Sequence, residues 1–260
     1  MSQIEAKNKR PYTESKNDDE VLVKARNLRK SFGDTVVIKD VSFDLHHKEN
    51  LVFLGKSGEG KSVLIKSIVG LHRPTEGELD VLGHDLTKIK GEEMVELRRK
   101  VGYLFQGGAL YDSMTVKENM MFPLERQLDP PSDDEMHELV EGGLDSVGLK
   151  DTMNKMPSEL SGGMQKRIAL ARTLVLRPKI MLYDEPTTGL DPVTSKEISN
   201  LMLDMRERYD ITSITITHDM SNAEMVSDRV FILKNGKFGA EGTFDELTHS
   251  DEEWIRSFFE

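Results

Sequence analysis

The sequence contains no cysteine. Disulfide frameworks and thiolate metal sites are therefore excluded, which fits a reducing compartment. It also lacks any apolar run near the ~20 residues that a membrane-spanning helix needs. The opening stretch MSQIEAKNKRPYTESKNDDE has no apolar core and so does not read as a secretory signal. The expectation is a soluble chain whose membrane connection, if it has one, comes through a partner. Positive charge is in short supply. Lys and Arg total 35 against 46 Asp and Glu, a net charge of −11. General nucleic-acid binding rests on neutralising phosphates with cations, so no nucleic-acid partner is expected. What is present is a chain of 260 residues with 37% hydrophobic content, long enough to bury a substantial core.

Residues 1–19 are polar and charged and read as a flexible tail. From Val21 the pattern becomes β-like, with VLVKA at 21–25 and VSFDL at 41–45 separated by the turn SFGDT. NLVFLG at 50–55 is a short apolar run ending in glycine, as a buried parallel strand would be. SVLIKSIVG at 62–70 suits a buried helix closed by Gly70. VGYLF at 101–105, IMLYD at 180–184, TSITIT at 212–217 and RVFIL at 229–233 read as further strands. Helical segments at 162–177 and 192–209 separate the later ones. Strands alternating with helices imply an α/β fold with a mostly parallel sheet covered on both faces.

Residues 106–160 interrupt this alternation. Pro123, Pro130 and Pro131 are expected to break the chain. Ser132 and Glu135 form a candidate capping box for a helix running towards Gly148, which Gly142 and Gly143 weaken. The stretch reads as an inserted α-helical subdomain, placed at about 107–165.

Gly55-Lys56-Ser57-Gly58-Glu59-Gly60-Lys61-Ser62 matches G-x-x-x-x-G-K-S in full, with a strand before it and a helix after it. Glycines let backbone N–H groups wrap phosphates without Cβ clashes, and the helix N-terminus adds partial positive charge. Lys61 is placed to reach the β- and γ-phosphates of a nucleotide, and the Ser62 hydroxyl to ligate Mg²⁺. The run Ile180–Tyr183 ends in Asp184 and is followed at once by Glu185. An acid at the C-terminal end of a parallel strand faces the ligand crevice. Asp184 is expected to hold Mg²⁺ through water, and Glu185 to orient or activate the attacking water. Asn154-Lys155-Met156-Pro157 begins like the guanine-reading N-K-x-D but lacks its aspartate, so strict guanine selection is not expected.

Leu160-Ser161-Gly162-Gly163-Met164-Gln165 resembles the LSGGQ signature of ABC ATPases, with Met164 standing before Gln165. Its glycines open a helix, a second anion-binding N-terminus in the same chain. Other segments resemble that family in its order. Phe32 is similar to the aromatic that stacks on adenine, although by itself it also reads as a turn phenylalanine. Gln106 is similar to the Q-loop glutamine that meets Mg²⁺ and couples to membrane subunits. Asp191, in Pro186-Thr187-Thr188-Gly189-Leu190-Asp191, is similar to the D-loop aspartate at a dimer seam and also reads as a helix N-cap before Pro192. His218 is similar to the switch histidine on the γ-phosphate.

The resemblance covers roughly residues 21–245. It implies a P-loop NTPase cassette with an N-terminal antiparallel β part and the inserted helical subdomain. The corresponding domain division is a cassette at 20–245 and a C-terminal helical extension at 246–260. It implies a head-to-tail homodimer in which ATP lies between the phosphate loop of one subunit and Ser161, Gly162, Gly163, Gln165 and Asp191 of the other. The implied cofactors are ATP and Mg²⁺, with Ser62, Gln106 and Asp184 at the metal and Glu185, His218, Lys61 and Gln106 at the chemistry. A binding module without catalysis is disfavoured by intact Glu185 and His218.

The run Phe105-Gln106-Gly107-Gly108-Ala109-Leu110-Tyr111-Asp112-Ser113-Met114-Thr115-Val116 resembles the Mla/Mce-type phospholipid-transport ATPases. So does Lys117-Glu118-Asn119-Met120-Met121-Phe122-Pro123-Leu124. In that branch the region meets a permease's coupling helix, and Leu110, Tyr111 and Met114 are candidates for a docking groove. The implied partners are transmembrane permease subunits, an Mce-type lipid-binding protein and accessory subunits, at the cytoplasmic side of the inner membrane. An importer of a small polar solute such as an amino acid, and a soluble non-transport ABC ATPase, are the alternatives. The C-terminal residues Trp254, Ile255, Phe258 and Phe259 share one face of a helix, which suits docking on the chain's own domain or on another subunit.

Overall fold

The computed structural model describes residues 20–259. The tail expected over 1–19 lies outside the described residues. β1 (Val21–Phe32) and β2 (Thr35–His46) pair antiparallel across the turn at Gly33 and Asp34, with Ala25 opposite Phe43. Both strands extend well beyond the short runs the sequence announced. β3 (Asn50–Leu54) is buried at every residue and leads into α1 (Lys61–Ile68). β4 (Glu76–Val81), β5 (His84–Asp85) and α2 (Glu92–Lys100) follow. Sequence patterning did not announce these three, because charged residues dilute each period. Arg98, Arg99 and Lys100 close α2 with the sign that suits a helix C-terminus.

β6 (Val101–Leu104) returns to the sheet, and α3 (Val116–Glu125) and α4 (Asp133–Ser146) follow it. α5 (Gly162–Leu174), β7 (Ile180–Asp184), α6 (Pro192–Tyr209) and β8 (Thr212–Ile216) alternate as expected. α7 (Met220–Val226), β9 (Arg229–Lys234), β10 (Lys237–Gly242), α8 (Phe244–Thr248) and α9 (Glu253–Arg256) complete the chain. Ten strands form one sheet in the order β5-β4-β1-β2-β10-β9-β3-β8-β7-β6. The run β9-β3-β8-β7-β6 is parallel throughout, while β1, β2, β4 and β5 pair antiparallel.

β3 shows how one strand serves two cores. Successive side chains point to opposite faces. Leu51 and Phe53 join a cluster with Phe43, Phe231 and α1, where Phe53 meets Phe43 edge-on at 5.3 Å. Val52 and Leu54 join the opposite cluster with Met181, Tyr183 and the helices α5 to α7. A third cluster, including Met120, Val140 and Ile168, holds α3, α4 and α5 together.

Two expectations about the helical region need revision. Pro123 lies inside α3 rather than breaking it. The proline forfeits the amide bond to the carbonyl of Asn119, but the helix ends at Glu125, so only the last turn is affected. α4 runs through Gly142 and Gly143 under a complete capping box between Ser132 and Glu135. Gly143 is where α4 packs closely on its neighbours. A Cβ there would lie 2.9 Å from Met120 Cε and 3.1 Å from Val175 Cγ1. At the C-terminus, Trp254, Phe258 and Phe259 pack on the chain's own second core, and Phe244 meets Phe259 edge-on at 5.1 Å.

Candidate functional site

The C-terminal ends of β3, β6, β7 and β8 carry the phosphate loop, Gln106, Asp184 and His218 respectively. This is the edge at which parallel α/β sheets bind ligands. The loop turns sharply as β3 ends, because Gly55 passes close to β9. A Cβ on Gly55 would sit 2.6 Å from the carbonyl oxygen of Leu233. Lys56, Ser57 and Gly58 are exposed, and Gly60 forms the N-cap of α1. Lys61 Nζ folds back over the loop and donates to the carbonyls of Gly55 at 2.6 Å and Lys56 at 3.0 Å. Burial pushes its pKa down, against the pull of Glu185, Asp184 and Glu59. Glu59 is an acid inside an anion-binding loop, but its carboxylate accepts from the amide of Asn235 in the β9–β10 turn.

Asp184 is buried at the end of β7. Its Oδ1 accepts from Ser62 Oγ at 3.1 Å and its Oδ2 from the Tyr103 hydroxyl at 2.7 Å. Burial, and then the Asp184 contact, push the Tyr103 phenol's pKa up. Glu185 adopts a left-handed backbone with φ of 55°, a strained state for a non-glycine residue, costing of order 1–3 kcal/mol. Its amide donates to Ile216 O at 2.9 Å, which holds the turn against β8. Glu185 Oε2 accepts from Thr188 Oγ1 at 3.1 Å and lies 2.7 Å from His218 Nδ1. The Glu185 carboxylate is mostly shielded and the His218 ring is mostly exposed, at 14% and 66%. Gln106 is exposed, and its backbone carbonyl accepts from the buried Lys166 ammonium on α5. Burial pushes the Lys166 pKa down, opposed by Glu185 and Asp184.

The signature residues do not join this group. Ser161 caps α5, its Oγ accepting from Met164 N at 3.3 Å. Gln165 Nε2 donates to Pro157 O at 2.9 Å and Leu160 O at 3.4 Å, so its amide is committed to the chain before the helix. Asp191 caps α6, accepting from the amides of Val193 at 3.0 Å and Thr194 at 3.1 Å. Between these two caps lies a cavity of about 370 Å³ bordered by Gly162, Gly163 and Asp191, with no phosphate-loop residue in its lining. Phe32 stands apart at the β1–β2 turn, 45% exposed, with His72 edge-on at 5.2 Å and Lys30 Nζ 4.7 Å from its ring centroid. One chain therefore carries two glycine-rich helix N-termini that face different spaces.

The donor set suits a hard cation carried with a polyphosphate. Among the described residues no group of three or more His, Cys, Asp and Glu could hold a metal alone. Mg²⁺ keeps several waters and takes one or two protein oxygens plus substrate phosphates, so a hydroxyl and a carboxylate side by side meet its needs. Sequence reasoning missed Tyr103, Thr188 and Lys166 as members of this site. Tyr103 read only as one letter of a strand, Thr188 as part of the segment that ends in Asp191, and Lys166 as one position of the helical segment at 162–177. Tyr103 and Lys166 acquire their roles through contacts between segments far apart in the chain, whereas Thr188 reaches Glu185 three residues earlier.

The family described as ABC transporter matches residues 38–188. The "Probable ribonucleotide transport ATP-binding protein mkl" of Mycobacterium leprae is 40% identical over 92% of this chain and 68% of its own length. The chain thus spans about two-thirds of that relative. The "Intermembrane phospholipid transport system ATP-binding protein MlaF" of Haemophilus influenzae is 34% identical over 89% of this chain and 87% of its own. Among solved structures, the dimeric post-hydrolysis state of the cassette MJ0796 bound to ADP and phosphate overlays with a TM-score of 0.77. It is 31% identical and covers 85% of this chain and 98% of that one. A parallel sheet whose ends gather Lys61, Ser62, Asp184, Glu185 and His218, together with the similarity to these ABC cassettes, makes this chain an ATP-hydrolysing subunit of the ABC transporter family.

Proposed function

We propose that this chain energises phospholipid transport of the Mla/Mce type through a separate permease, at the cytoplasmic side of the inner membrane. The observation that carries the reading is the surface segment after Gln106. Residues 107–115 have no regular structure, yet two polar side chains, the buried Asn119 and the half-buried Arg172, hold them. Asn119 is fully buried and donates to the carbonyls of Tyr111, Met114 and Thr115, while its Oδ1 accepts from Tyr111 N at 2.8 Å. Arg172 donates to Ala109 O at 2.9 Å and Gly108 O at 3.2 Å. This scaffold presents Tyr111, 43% exposed and tilted at 45° against Phe122 with ring centroids 4.6 Å apart, beside Leu110. A preformed apolar-aromatic surface next to Gln106 fits a permease helix. The similarity to the Haemophilus phospholipid-transport subunit supports lipid as cargo.

In the same reading, Phe32 takes adenine, and Lys61 and the amides of 55–62 take the phosphates. Ser62, Asp184 and Gln106 hold Mg²⁺, which when bound neutralises phosphate charge. Glu185 orients the attacking water and accepts its proton, while His218 faces the γ-phosphate. Ser161, Gly162, Gly163, Gln165 and Asp191 serve the nucleotide of a second copy. Catalysis by this set is positioning and charge stabilisation. The test is gentle detergent capture of the full chain from its native membranes, with mass spectrometry of bound proteins and lipids. A polytopic permease with an Mce-type protein and phospholipid is expected. A permease with a small-solute-binding protein instead would overturn the lipid reading.

A further inference from the structure

We infer that Tyr103 is a positioning residue for the cation site: its hydroxyl fixes the orientation in which the Asp184 carboxylate faces Ser62. The inference rests on the reading of Ser62 and Asp184 as the metal-facing pair. Strand register supplies the contact. β6 and β7 run parallel with Tyr103 opposite Leu182 and Leu104 opposite Tyr183. Asp184 is two residues beyond Leu182 on the same face of β7, so Tyr103 meets it diagonally, a span that a long aromatic side chain can bridge. The hydroxyl closes that span at 2.7 Å to Oδ2.

Asp184 is 6% exposed, so each of its oxygens needs a partner. Ser62 supplies one for Oδ1 and Tyr103 one for Oδ2. A carboxylate held at one oxygen only is free to turn about its last side-chain bond, which would swing Oδ1 away from Ser62. Held at both, it presents Oδ1 towards the hydroxyl and the space beside it without reorganising when a cation arrives. The tyrosine ring is itself fixed, since Phe105 meets it edge-on with centroids 4.2 Å apart. A phenylalanine would fill the same volume and keep that contact, so the hydroxyl alone carries the role. Gln106 follows two residues after β6 ends, so the strand that leads to one proposed metal residue also contacts another through Tyr103.

The experiment uses the purified full chain and a fluorescent ATP analogue, titrated with Mg²⁺ and again with chelator. Tyr103→Phe is expected to cut the Mg²⁺-dependent gain in nucleotide affinity about tenfold, the scale of one hydrogen bond to a charged group. Metal-free affinity should stay within about twofold of the parent, while the thermal midpoint should fall modestly, because Asp184 Oδ2 loses its buried partner. Tyr103→Met, which also lacks the hydroxyl, should show the same loss. In an Asp184→Asn background, adding Tyr103→Phe should have no further effect, because both act through one carboxylate. An unchanged Mg²⁺-dependent gain in Tyr103→Phe, an equal loss of metal-free affinity, or additive effects in the double variant would each overturn the inference. If Asp184→Asn itself leaves the Mg²⁺-dependent gain intact, the metal reading of Asp184 falls and takes this inference with it.

Discussion

The Glu185 carboxylate lies 2.7 Å from Nδ1 of His218, although the two residues follow different strands, β7 and β8. The left-handed backbone of Glu185, and the hydrogen bond its N–H donates to the Ile216 carbonyl, aim the carboxylate at that ring. A carboxylate so oriented is suited to accept a proton from a water placed beside the γ-phosphate. Glu185→Gln keeps the shape and loses the base. Turnover is expected to fall by roughly 10²–10⁴-fold while ATP binding persists and the ATP-bound dimer accumulates. Phosphate release, equilibrium ATP binding and light scattering on one preparation check all three. Near-normal phosphate release would remove Glu185 from its proposed role.

Lys61 is the buried cation of the phosphate loop, resting on two loop carbonyls. A triphosphate offers a charged partner in their place. Lys61→Met is expected to weaken ATP binding about 10- to 100-fold, the scale of a charge-assisted hydrogen bond or two. Equilibrium dialysis with labelled ATP measures it, and unaltered affinity would argue that the loop amides alone hold the phosphates.

The signature cavity has no phosphate-loop residue in its lining, so a second copy must complete each site if both helix N-termini serve ATP. Gly163 is confined there, since a Cβ would lie 2.7 Å from Thr194 Cγ2. Lys61→Met and Gly163→Asp are each expected to abolish turnover alone. Mixed together, they should recover activity, because one of the two composite sites in a mixed dimer is unmutated. No recovery in a mixture that demonstrably forms mixed dimers would count against a site shared between copies.

Asn119 is fully buried and bonds to three carbonyls and an amide of the segment it supports. Asn119→Ala would leave those groups without their partner, and about 1–3 kcal/mol of stability should be lost, read by urea denaturation. Permease capture should fall with it. Intact capture by a destabilised Asn119→Ala chain would place the docking surface elsewhere.

The strands of the parallel core were legible because burial on both faces makes them continuous apolar runs, as in Ile180–Tyr183. The helix from Ser132 was legible through its capping box, which is local chemistry. β4 and α2 were not, since half-exposed elements carry charges that blur their periods. Pro123 misled because a proline near a helix end costs only a terminal hydrogen bond.

The sequence by itself determined the phosphate loop, the acids after Ile180–Tyr183 and the order of the remaining motifs, since these depend on residue type and short spacing. Tertiary structure alone decided that Tyr103 meets Asp184, that Lys166 reaches the carbonyl of Gln106, and that the signature faces a space of its own. The physical reason is that strand register and helix packing bring together residues far apart in the chain. No pattern within one window records which of them will share a carboxylate or a carbonyl.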